Sequence, residues 1–239
     1  MRVDAVRWLG RRSPGRGRHA AGSAAAASVG LALVPLDRAV ARLAVAETYI
    51  ETTPPDRRRR LRIAITSVKL SLARRRGHFV GVAEQAKFLD WPITGQSDED
   101  IALGSDLRAV ALMNLGIVEA WSIALPDAER HLHEGAVLAR EIGRPYVEVG
   151  CLAQLAFASK IHSFATTRRR CHEAIALAER HGWGTDWIVA PALVTLAGTM
   201  VLTGEFDEGE RWLQRTERAL QTDTGPDITL LVHIVSGTL

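Results

Sequence analysis

Aromatic side chains are scarce: Phe, Trp and Tyr together make up 5% of the 239 residues. Strands draw on aromatic and β-branched residues, and no stretch here alternates apolar with polar positions at a period of two. Ala, Leu and Arg abound instead, which favours helices. Cysteine is rarer still. Cys151 and Cys171 are too few to staple a secreted scaffold, so reduced, buried thiols and a cytoplasmic setting are expected. No apolar run reaches the roughly 18 residues of a membrane span. The stretch AAGSAAAASVGLALV (20–34) follows an Arg-rich start, but small residues make a weak hydrophobic region for export.

The sequence pI of about 9.2 raises the question of nucleic acid. The charge sits in one place. Residues 1–35 hold six Arg against the single acid Asp4, which leaves 24 basic and 26 acidic residues for the remainder. A DNA-binding domain carries its own basic face, so residues 36–239 are not expected to bind nucleic acid. Residues 1–18, rich in Arg, Gly and Pro and lacking apolar periodicity, read as a disordered basic leader.

Catalytic and cofactor signatures are missing as well. The sequence has no G-x-x-x-x-G-K-[ST], and GRRSPGRG (10–17) follows no strand, so no phosphate cradle is expected. His131 and His133, two apart on a helix, point to different sides and do not share a metal. Cys151, Cys171 and His172 could approach one another across one helix pair, but cysteines at apolar repeat positions read as core residues rather than metal ligands. The Arg runs 57–60, 74–76 and 168–170 read as solvated helix faces with snorkelling stems. Ser97 with Asp100 marks a helix start. No enzyme, metal or cofactor is therefore expected.

What is present is a repeat. In LPDAERHLHEGAVLAREIG (125–143), FATTRRRCHEAIALAERHG (164–182) and FDEGERWLQRTERAL (206–220), a small residue recurs at Ala128, Thr167 and Gly209. An apolar residue follows four later, at Leu132, Cys171 and Leu213, and another small one three after that, at Gly135, Ala174 and Thr216. The 4–3 spacing puts each triplet on one helix face. The frame extends back to Val82, Ala86 and Leu89, and to Ala39, Leu43 and Ala46. Its anchors 39, 82, 128, 167 and 209 lie 39 to 46 residues apart. Each of these second helices follows a longer, more apolar first one, with Gly204 ending a first helix and Phe206 packing at the turn. Helix pairs of this kind bury their faces by stacking, with contacts between neighbours.

The elements LG (115–116), DAERHL (127–132) and TGEFDEGE (203–210) resemble tetratricopeptide repeats, on a longer period. The stretches SDEDIALGSDLRAVALMNLGIVEAW, AERHLHEGAVLAREIGRPYVEVGCLAQLA and ALAERHGWGTD resemble the repeat region of the large ATP-binding LuxR-type, MalT-like transcription regulators. The resemblance covers 36–239. It implies an all-α fold, a tetratricopeptide-like α-solenoid of antiparallel helix pairs over 19–239, truncated at its C-terminal end and without the ATPase and helix-turn-helix domains. It implies an effector-sensing or protein-interaction region of such a regulator; a free-standing repeat adaptor holding another protein is the alternative. Laying the frame over the first helices puts Met113, Ile117 and Trp121 on one stripe beside Leu152 and Val194. In tetratricopeptide geometry that stripe faces a concave groove, suited to an apolar or sugar-like effector or a partner helix.

Overall fold

The structure, a computed structural model, describes residues 36–78, 98–159, 163–220 and 226–239. Among these residues the chain is all-α, with helices α1 (Leu36–Thr48), α2 (Pro55–Arg76), α3 (Asp98–Trp121), α4 (Leu125–Glu141), α5 (Pro145–Ser159), α6 (Phe164–Arg180), α7 (Ala190–Leu202), α8 (Phe206–Ala219) and α9 (Pro226–Ser236). A 3-10 turn, Trp187–Val189, leads into α7. The leader 1–18 and the anchors Val82, Ala86 and Leu89 lie outside the described residues, as does Ser97.

Local chemistry sets the helix ends. Proline occupies the first turn of α2, α4 and α7, where its missing N–H costs no hydrogen bond. Ser163 Oγ accepts from the Thr166 amide and caps α6. Asp186 accepts from the Ile188 amide at 3.0 Å and from the Tyr146 hydroxyl at 2.9 Å, which fixes the turn into α7 against α5. Burial first, then the Asp186 charge, pushes the Tyr146 hydroxyl pKa well upward.

The repeat frame is the packing frame. Ala128, Leu132, Gly135, Thr167, Cys171, Ala174, Gly209, Leu213 and Thr216 are all buried. In the first repeat Ala39 is buried, while Leu43 and Ala46 are only half-buried. A Cβ added to Gly116 would sit 2.5 Å from Leu132 Cγ, and one on Gly135 would sit 3.0 Å from Cys151 Sγ. One on Gly209 would sit 2.7 Å from Val201 Cγ2 and 3.3 Å from the Ala197 carbonyl. Small residues thus stand where backbones approach closely.

Register shows the directions. Glu119 meets His131, Gly116 meets Leu132, and Leu112 meets Gly135, so α3 and α4 run antiparallel. The first helices α2, α3, α5, α7 and α9 pack side by side in one layer. The second helices α4, α6 and α8 run parallel in another and meet through long side chains. Arg170 pairs with Glu129 at 2.9 Å, Arg140 with Glu173 at 3.9 Å, Arg168 with Glu205, and Arg215 with Glu179. His172 on α6 also lies edge-on to Trp212 on α8.

Buried polar groups are tied across elements. Asp106 accepts two bonds from Arg144, at 2.7 and 2.9 Å, and so pins α3 to the α4–α5 turn. His131 Nδ1 lies 2.6 Å from Glu119 Oε2, with both side chains buried. One contact departs from purely neighbour-to-neighbour packing. Helix α2 touches α9, and the Arg74 guanidinium lies 5.9 Å from the Trp187 ring centre. Among the described residues, the layer of first helices curls far enough for α2 and α9 to meet.

Candidate interaction surface

The five residues assigned to a concave groove occupy the core instead. Met113, Ile117, Leu152 and Val194 are buried, and Trp121 is half-buried against the same cluster, stacked on Phe157 at 4.9 Å. The structure does bring them together, as the stripe predicts, but as packing between first helices. Helix α5 is the reason. From Val147 to Ser159 every residue is buried, because α3, α4, α6 and α7 all pack on it and leave no open inner face. Gly150 lets Met113 Sδ and Ile188 Cδ1 close in to 2.6 and 2.9 Å of where its Cβ would be.

Other expectations divide. His131 is buried and His133 exposed, as their spacing predicts. Both cysteines are buried and free, while His172 is exposed. Burial pushes the Cys171 thiol up to about 12, and burial with the nearby Glu148 charge pushes Cys151 higher still. No group of three or more His, Cys, Asp or Glu side chains is placed to hold a metal among the described residues. Nor is any described helix long and apolar enough to cross a membrane. Phe206 does not pack at its turn; it is 52% exposed.

That exposure belongs to a set. Ile123 in the α3–α4 turn, Phe164 at the start of α6, and Leu202 and Phe206 flanking the α7–α8 turn are all large, apolar and exposed. Each lies where a first helix hands over to its second. The two-layer stack therefore places them along one edge. Arg168 at the start of α6 donates to Thr203 Oγ1 at 2.9 Å and pairs with Glu205, so it holds two of these turns side by side. The hydrogen bond from Arg168, then that from Thr203, holds the Glu205 carboxyl below its usual range.

Ile123 is the sharpest member. It is 81% exposed and has a φ of 64°, a left-handed value that a β-branched residue adopts only under strain. Gly204 fills the equivalent place before Gly209, with φ 81° and no strain. Sequence periodicity missed this edge because its residues fall in turns, outside the helical frame. The available signal was an apolar residue inside each break: SIAL at 122–125 and LTGEF at 202–206.

No known protein family, characterised protein or solved structure matches the chain.

Proposed function

We propose that the chain is a tetratricopeptide-like α-solenoid that serves as a protein-interaction scaffold, the partner-holding sensory region of a LuxR-type ATP-dependent regulator. The scaffold reading is carried by the row Ile123, Phe164, Leu202 and Phe206, four large apolar side chains exposed along one edge of the stack. The stacking of first helices on first helices, and the small residues repeated at each close approach, support the solenoid. The regulator assignment rests on the sequence resemblance over 36–239. Burial of Met113, Leu152 and Val194 favours a protein partner over a small effector in an interior groove. The near balance of basic and acidic residues beyond residue 35 supports a partner other than nucleic acid.

A photo-crosslinking amino acid placed at Phe206, with Arg218 as the exposed control, tests the reading in cells that make the protein. The expected result is an adduct with one protein from Phe206 only. That protein, purified, binds the chain, and Phe206→Glu weakens binding about tenfold. A partner with an ATPase or helix-turn-helix domain supports the regulator; any other partner supports the adaptor. Equal adducts from both positions, or ATP turnover by the purified chain, would sink the scaffold reading.

A further inference from the structure

Helix α2 departs from the direction that the array keeps elsewhere. Helices α3, α5 and α7 run antiparallel to the second helices and so begin at one edge of the stack. Ser67 of α2 stands beside Asn114 of α3, and Arg74, about two turns further along α2, reaches the Trp187 ring at that starting edge. Helix α2 therefore runs against α3, not with it. Among the described residues α1 packs mainly on α2, to which the pairs Lys69–Glu47 and Arg62–Glu51 also tie it. The two helices form one arm, seated on the stack through α2.

The chemistry of the seat suits a contact that parts. Ile63 and Leu70 pack with Ala111, Leu115 and Val118 of α3, but Thr66, Ser67 and Ser71 of α2 and Asn114 of α3 are buried as well. Contacts that form and part within one chain are more polar than permanent ones. The Asn114 amide donates to Ser67 Oγ at 3.3 Å and also to the Val110 carbonyl of its own helix at 3.1 Å. Departure of α2 thus leaves that amide a partner, and little hydrogen bonding is stranded. Arg57, Arg62 and Arg76 are exposed on either side of the apolar stretch, so a released α2 stays hydrated.

We propose that the α1–α2 hairpin is a displaceable arm: α2 fills a helix-binding seat on α3, and a partner helix presenting the same pattern takes its place. That pattern is the one α2 shows, apolar at Ile63 and Leu70, a small hydroxyl between them at Ser67, and Arg74 for the Trp187 ring. The seat lies along the side of α3, apart from the exposed turn residues, so it goes beyond the scaffold reading and fails separately from it. Native-state hydrogen exchange on the parent chain reads the arm. The α2 amides should exchange together, at least about tenfold faster than those of α5, through an opening that leaves α5 to α8 protected.

A labelled peptide of residues 55–76 reads the seat by fluorescence anisotropy with the full chain. Leu70→Ala protein, whose own arm is loosened, should bind it at least about tenfold tighter than the parent, because more seats stand open. Arg74→Glu protein, altered where α2 meets Trp187, should shift the same way by a smaller factor and serves where Leu70→Ala proves unstable by circular dichroism. Peptide carrying Leu70→Arg is more basic, yet it should bind at least about tenfold more weakly, which separates seating from charge attraction. Exchange of α2 in step with α5 overturns the proposal. So does peptide binding that is absent, equal on parent and variants, or undiminished by Leu70→Arg in the peptide. Such a failure with the Phe206 adduct intact removes the arm and leaves the scaffold; loss of the adduct with peptide exchange intact does the reverse.

Discussion

At the scale of single residues, the frame makes a graded demand on volume. Ala128 is fully buried at the α3–α4 contact, so Ala128→Leu should overpack it and cost about 1–3 kcal/mol. Arg130→Leu, at an exposed position, should stay within about 0.5 kcal/mol. Glu129 lies between these limits. The frame alone assigns it to solvent, yet its carboxylate is half-buried against Arg170, so Glu129→Leu should cost about 0.5–1 kcal/mol through the lost pair. Urea midpoints at constant slope measure all three, and equal tolerance would show the frame misplaced. Ile123→Gly should go the other way. Relief of left-handed strain, about 1–2 kcal/mol, outweighs the added freedom of the unfolded chain, about 0.4–1 kcal/mol. An unchanged or lowered urea midpoint would remove the strain argument. The small-residue positions were legible in the sequence because steric demand repeats with the helical period. The partner of Glu129 was not, because it comes from the next repeat across a gap that only long side chains span.

Individual helices show which parts of the reading travel through local pattern. The turns and first-to-second alternation from α3 to α9 follow the breaks in the sequence, since Pro and Gly act within one turn of where they stand. The lining assigned to Met113, Ile117, Trp121, Leu152 and Val194 went astray for a different reason. A stripe specifies which residues share a face, whereas what covers that face depends on how far the array bends. Between α6 and α8, Arg168 makes a pH-dependent link. Glu205 is held below its usual range in the folded chain, so the stabilisation is complete above the unfolded carboxyl value of about 4.3 and is lost as pH falls through the depressed folded one. The stability gap between the parent and Arg168→Ala should therefore narrow as pH drops through the acid range. Carbon-detected NMR titration should place the Glu205 carboxyl of the variant back near its ordinary value. A gap independent of pH would detach the link from this pair.

Across the whole molecule, the meeting of α2 with α9 decides how damage spreads. In an open array a disturbance fades with distance along the stack. Leu70 is fully buried in the α2–α3 cluster, so Leu70→Ala should cost about 2–5 kcal/mol. Hydrogen exchange should then rise in α3 and also in α9, ahead of α8. Faster exchange in α3 with α9 unchanged would mean that the end contact carries no energy. Neither that contact nor the Arg74–Trp187 approach was legible in the sequence, since each joins residues more than a hundred positions apart with no shared period. The same closure acts as a length gauge. Tandem units of nearly equal size are readily gained or lost by unequal recombination, and in an open stack one unit more or fewer leaves every remaining interface intact. Here a change in copy number would carry α2 past α9 or leave it short, so repeat number becomes a trait that selection on stability can hold fixed.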